Sequence, residues 1–140
     1  MVDSFFDTNV LLYIASSNTE KANRAEQLIA EGGHISVQVL NELTNVARRK
    51  FKLSWPETHT MLAALRGLLT VHPVTLDVHQ AGIALAERYN LSIYDAMIAA
   101  AALEAGCATL WSEDMQHGMQ IAGKLRIANP FVADRELYGE

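Results

Sequence analysis

The sequence holds a single cysteine, Cys107, which excludes an internal disulfide and favours a reducing, cytosolic setting. It also lacks a long apolar run. The longest, "AMIAAAAL" from Ala96 to Leu103, falls far short of the roughly 20 residues that span a bilayer. No basic segment leading into an apolar one opens the chain, so neither a signal peptide nor a membrane anchor is expected. Basic charge is scarce. The 11 Lys and Arg face 16 Asp and Glu, for a net charge of -5, which argues against binding a polyanion by bulk electrostatic attraction. A protein of this charge that handles nucleic acid must offset it locally.

What is present is an ordinary globular composition, 50% hydrophobic and 19% charged, with no linker, repeat or low-complexity segment. At 140 residues the expectation is one domain over 1–140 that buries roughly two-thirds of its unfolded surface. Strand-like runs are read at "SFF" (4–6), "HIS" (34–36), "TVHPV" (70–74) and "ATLW" (108–111), with "LRIANPF" as a last strand that Pro130 places at an edge or turn.

Helical patterns lie between these runs. Thr19 to Glu31 stops at Gly32-Gly33, Val37 to Arg49 follows a cap at Ser36, and "SWPE" (54–57) reads as a capping box opening a helix to about Leu69. Leu76 to Tyr89 forms another. Ser92 then caps "IYDAMIAAAALEA", whose small residues predict close packing on both sides, with Gly106 as its stop. Alternating strands and helices predict a three-layer α/β/α domain with a mainly parallel sheet, which binds ligands beyond the carboxyl ends of its strands.

Most acids fall on polar faces, where solvation explains them. Four do not. Asp7 closes the first apolar strand, Glu42 lies in the helix after "HIS", Asp95 sits in the first turn of the Ala-rich helix, and Asp114 follows "ATLW". Each has an ordinary explanation taken alone; Asp7, for instance, shares with Thr8 and Asn9 the role of N-cap for the helix that "NVLLYIA" begins. Topology nevertheless brings all four toward one sheet edge. Carboxylates gathered there repel unless a cation is present, and a hard divalent ion such as Mg²⁺ suits a sparse oxygen cluster. Zinc fits less well, because the five histidines show no paired ligand spacing.

With "FFDTNVLLY", "ISVQVLNEL", "LSIYDAMIAAAA" and "LWSEDMQHG" in this order, the chain resembles PIN-domain ribonucleases, most of all the VapC-type toxins of bacterial toxin-antitoxin pairs. The resemblance implies a PIN-like fold and a metal site of Asp7, Glu42, Asp95 and Asp114, supported by Asn9 and Ser112 and, less firmly, by Thr8. Asp114 is preferred to its neighbour Glu113 because the family's last acid follows a Ser or Thr by two positions. The implied activity is Mg²⁺- or Mn²⁺-dependent cleavage of RNA, leaving 5′-phosphate and 3′-hydroxyl ends. A cognate antitoxin that covers the acidic cleft and a homodimer are the implied partners, with the "SWPETHTMLAALRGLL" helix and the surface near Glu31 as contact regions.

Arg48 and Arg49, in "RRKFK" (48–52), are candidate RNA contacts beside their role as cations at a helix end. Trp111 reads as core, Trp55 as a contact at the start of its helix, and His117 as a residue three positions beyond Asp114. Two rival readings stand beside the ribonuclease. One is another Mg²⁺-dependent phosphoryl-transfer enzyme; a haloacid-dehalogenase-like phosphatase would place a second Asp where Asn9 stands. The other is a non-catalytic PIN-like module that binds RNA or protein.

Overall fold

A computed structural model describes residues 4–132 of the chain, so the expected single domain over 1–140 reaches beyond the described residues at both ends. Its centre is one sheet of β1 (Ser4–Phe6), β2 (His34–Ser36), β3 (Thr70–His72), β4 (Thr109–Trp111), β5 (Gln120–Ile121) and β6 (Leu125–Ala128). The strand order is β3-β2-β1-β4-β6-β5. All neighbours run parallel except β5 and β6. From β1 the chain builds outward to β2 and β3 on one side and returns as β4 and β6 on the other. The crevice where the order reverses therefore opens at the carboxyl ends of β1 and β4.

Helices α1 (Thr8–Leu12), α2 (Thr19–Ala30), α3 (Val37–Arg49), α4 (Trp55–Leu68), α5 (Leu76–Tyr89) and α6 (Ile93–Glu104) connect the strands, and a 3₁₀ turn, Tyr13–Ala15, extends α1. Side-chain caps set where several of them start. The Ser54 hydroxyl accepts from the Glu57 amide at 3.1 Å while Glu57 accepts from the Ser54 amide at 2.8 Å, the reciprocal bonds of a capping box. Ser36 and Ser92 cap α3 and α6 in the same manner. Between Ala96 and Ala102 every residue of α6 is buried, as its small side chains predict.

Close approach there also fixes a glycine. A Cβ on Gly82 of α5 would lie 2.7 Å from Met97 Sδ and 3.4 Å from the Met97 Cα, so the α5–α6 contact leaves little room for a side chain at that position. The core beneath the site is made by Phe5, Phe6, Val10, Leu11, Ile35 and Leu110, all fully buried. Among the described residues no helix is long and apolar enough to cross a membrane.

Several expectations need correction. β3 ends at His72, because Pro73 has no amide hydrogen to continue the ladder. β6 lies between β4 and the unforeseen β5, a two-residue strand too short to show periodicity, while Pro130 stands in the turn beyond β6, the second of its two expected places. Of the three N-cap candidates for α1, Asp7 is the one used: its side chain accepts from the Thr8 amide. Two histidines also meet despite their distant positions in sequence. His34 Nδ1 and His72 Nε2 lie 2.8 Å apart across β2 and β3. Burial and then the neighbouring His34 push the His72 pKa down.

Candidate active site

Asp7 leaves β1 at the sheet centre and is 4% exposed. Burying a carboxylate is costly unless its oxygens are hydrogen-bonded, and here both are. Oδ1 accepts from the Thr8 amide at 2.7 Å, while Oδ2 accepts from Asn9 Nδ2 at 3.0 Å and from the Ser112 hydroxyl at 2.8 Å. Parallel register explains the last contact: Phe6 faces Trp111, so the residues that follow them, Asp7 and Ser112, emerge side by side. Ser112 in turn accepts from the Met115 amide at 3.2 Å, and Asn9 Oδ1 from the Glu113 amide at 3.0 Å. The β4 exit is thereby tied to the start of α1.

The other three acids join Asp7 along one cavity of about 280 Å³, lined by Asp7, Glu42, Asp95 and Asp114 with Asn9 and Asn45 among their neighbours. Their exposure is graded. Glu42 and Asp95 are half-buried and Asp114 is exposed. Burial raises the Asp7 pKa to about 6, against the lowering effect of the Ser112 and Thr8 bonds, with Asp95 and Glu42 adding repulsion. Burial likewise raises Asp95; the Ser92 bond opposes this, and Asp114 and Glu42 push it further up. Repulsion within the cavity thus acts on Asp7 from Asp95 and Glu42, and on Asp95 from Asp114 and Glu42.

Thr8 has a larger role in this network than the sequence suggests. Its hydroxyl donates to Glu42 Oε1 at 2.8 Å, joining α1 to α3. Gln38, unmarked in the sequence, donates to Glu42 Oε2 at 3.0 Å and also to the Tyr94 carbonyl at 3.0 Å. One amide thus orients Glu42 and holds the start of α6 near α3. Gln38 and Asn45 stand four residues before and three after Glu42, the spacing of one helix face, which is the only sequence signal that finds them.

Glu113 is engaged elsewhere. Tyr13 donates to its Oε1 at 2.6 Å, and Lys21 forms an ion pair with its other oxygen. Burial works to raise the Glu113 pKa, but the Lys21 and Tyr13 bonds and the Lys21 charge hold it below the usual carboxylate range. Arg48 and Arg49 do not line the acidic cavity. Arg48 donates to the Leu53 carbonyl at 2.6 Å and lies 4.3 Å over the Trp55 ring. Trp111 packs against the core, and His117 Nδ1 accepts from the Asn129 amide at 2.9 Å.

All four acids offer oxygen, the donor set of a hard, water-retaining cation rather than of zinc. Among the described residues, however, no three His, Cys, Asp or Glu side chains are already drawn together as metal ligands. The cavity is an open set of acids, not a closed cage.

The PIN domain family matches residues 4–118. No curated protein matches the sequence. Among solved structures, a toxin-antitoxin complex from Klebsiella pneumoniae superposes with a TM-score of 0.71 at 21% identity, covering 91% of this chain and 98% of that one. Mycobacterium tuberculosis VapC20, a sarcin-ricin loop cleaving toxin, gives 0.62 at 19% identity over 79% of this chain and 89% of its own. VapBC2 from Rickettsia felis, bound to a DNA fragment from its promoter, gives 0.67 at 20% identity over 92% and 98%. At these identities the likeness speaks for the fold.

Proposed function

The chain belongs to the PIN-domain family, and from that premise we propose that it is a divalent-metal-dependent endoribonuclease, the toxin of a toxin-antitoxin pair. The observation that carries this reading is the convergence of Asp7, Glu42, Asp95 and Asp114 on one cavity at the strand ends, with the most buried of them raised to a pKa of about 6. A carboxylate so placed contributes poorly to stability and well to binding a cation. Asp7, Asp95 and Asp114 would hold Mg²⁺ or Mn²⁺, and Glu42 would join them or orient the attacking water. When bound, the ion supplies charge neutralisation for the phosphodiester and a lowered pKa for water.

The remaining roles belong to the chain's own residues. Thr8, Asn9 and Ser112 fix both Asp7 oxygens, so its carboxylate meets a ligand in one orientation. Thr8 and Gln38 do the same for Glu42. Hydrolysis adds water across a P–O bond and leaves 5′-phosphate and 3′-hydroxyl ends. The solved neighbours include toxin-antitoxin assemblies, which supports an antitoxin as this chain's partner, and a homodimer and a cytoplasmic site of action accompany that reading.

The test uses purified, antitoxin-free protein with Mn²⁺ and unstructured RNA. Cleavage that EDTA stops and Asp7→Asn abolishes supports the proposal. No cleavage by wild-type protein, with toxicity in cells unchanged by Asp7→Asn, sinks it and leaves the non-catalytic module.

A further inference from the structure

Two acids of the cavity stand on helices that pack mainly elsewhere. Glu42 belongs to α3, which packs on α1 and α4, and Asp95 to α6, which packs on α5 and the sheet. Glu42 adds to the repulsion on Asp95, so the carboxylates themselves push the two helices apart. Their spacing therefore depends on a contact between α3 and α6 that the acids do not make.

The first turn of α6 gains little from burial. Ile93 is 47% exposed and Tyr94 68% exposed, and the buried run of the helix starts only at Ala96. The Ser92 hydroxyl accepts from the Asp95 amide at 3.2 Å, a bond within the turn. Gln38 supplies a tie to α3. Its side-chain nitrogen donates to the Tyr94 carbonyl at 3.0 Å, one residue before Asp95, and to Glu42 Oε2 at the same distance. A carbonyl and an ionised carboxylate only accept, so both amide hydrogens are used and the side chain has one orientation. Loss of the Tyr94 bond would free the turn that carries Asp95, whatever happened to Glu42.

We propose that Gln38 is a positioning residue for Asp95: it pins the first turn of α6 to α3 and so sets where the Asp95 carboxylate stands relative to Glu42 when a divalent cation binds. This goes beyond the orienting of Glu42 and rests on the reading of these acids as ligands of Mg²⁺ or Mn²⁺. Gln38 carries no charge and acts through the helix start. Side chains that act one step removed from a metal change its affinity by roughly 10- to 100-fold, and a neutral amide does so without adding charge to a cavity that already holds four acids.

The test starts from metal-free, antitoxin-free protein. Gln38→Met keeps the length of the side chain and removes its donors. In it the Asp95 and Ala96 amides, bonded to the Ser92 hydroxyl and carbonyl, should exchange with solvent at least about 5-fold faster than in wild type, while those of Ile98 to Ala102 keep their rates. Titration followed by electron paramagnetic resonance should show Mn²⁺ binding weakened about 10-fold. The decisive comparison uses Glu42→Gln as background: there Gln38→Met should still weaken Mn²⁺ binding by at least about 3-fold, because the Tyr94 bond remains to be lost. In cleavage assays saturating Mn²⁺ should recover the rate, with KM for RNA unmoved. Unchanged Mn²⁺ affinity in Gln38→Met, an effect that vanishes in the Glu42→Gln background, a cleavage defect that saturating Mn²⁺ leaves in place, or faster exchange throughout α6 would overturn the proposal. If Mn²⁺ binding behaves as expected and wild type cleaves no RNA, the positioning role stands and the ribonuclease reading falls. If wild type cleaves RNA and Gln38→Met binds Mn²⁺ as tightly as wild type, the reverse holds.

Discussion

Two concave regions of this molecule differ in almost every respect. The acidic cavity measures about 280 Å³ and is built around a buried carboxylate with both oxygens bonded. The larger groove, about 730 Å³, lies between α2 and α4 and is lined by Ile14, Ile29, Pro56, Met61, Leu65 and Leu68. Size and chemistry therefore do not coincide. In the cavity, desolvated and mutually repelling acids work against folding, a cost that a bound cation would relieve. The groove instead leaves apolar surface such as Leu68, 54% exposed, open to solvent. The acids and the apolar surface thus stand on separate walls of one domain, and each should be alterable without the other.

The largest expected effect comes from the cavity. Asp95→Asn keeps the shape of a half-buried side chain and its helix start while removing a metal-ligating charge, so RNA cleavage should fall to background with the fold intact. Gel assays of cleavage alongside thermal unfolding check this; an Asp95→Asn protein that cleaves like wild type would remove Asp95 from the site.

Next in size is a pH effect in which Asp7 has the larger share and the raised Asp95 acts in the same direction. The Asp7 pKa is about 6 in the folded protein against an ordinary 3.8, so the native state holds the proton more tightly than the unfolded chain. The stabilisation is fully present below 3.8 and is lost as pH rises through about 6, a difference of about 3 kcal/mol in metal-free protein. Urea unfolding in EDTA should therefore show stability declining across that window in wild type and less so in Asp7→Asn, with Mg²⁺ restoring it at neutral pH. Identical slopes in the two proteins would remove the buried charge from the account.

The groove should respond in the opposite manner. Leu68→Glu places a charge on the α4 surface expected to pair two copies of the chain, and at the level of an interface hot spot it should weaken that self-association by roughly 30-fold, about 2 kcal/mol. Cleavage by the antitoxin-free protein should be unmoved. A loss of cleavage with self-association retained would merge the two regions.

Legibility in the sequence followed the range of the interaction. Strands β1, β2 and β4 and the caps at Ser36, Ser54 and Ser92 are local signals, and they appear where expected. The four acids could be singled out because each stands at a strand end or first turn. Their common cavity could only be inferred, because it depends on strand order. What stayed hidden was set by pairing across the sheet or between helices: β5 beside β6, the His34–His72 contact, Gln38 bridging Glu42 to Tyr94, and the α2–α4 groove. The resemblance preferred Asn9 and Ser112 to Thr8, yet Thr8 is the residue that touches two of the acids. Its backbone serves Asp7 and its hydroxyl Glu42, a division of labour no motif encodes.

The smallest expected effect separates two adjacent acids. Asp114 lines the cavity and adds to the repulsion on Asp95, whereas Glu113 is held by Tyr13 and Lys21. Asp114→Asn should therefore act on cleavage. Glu113→Gln should act on stability, and only by about 1 kcal/mol, because the ion pair it breaks is partly exposed, with 32% and 23% of the two side chains accessible. Gln keeps an acceptor for Tyr13, so even the local packing of Tyr13 against Phe131 should persist. The lowered pKa of Glu113 gives this contribution its sign: it is present at neutral pH and disappears as the carboxylate protonates in acid. Cleavage by Glu113→Gln within about twofold of wild type, beside loss in Asp114→Asn, would place the boundary of the acidic cavity between these two residues; the opposite pattern would give the ligand role to Glu113.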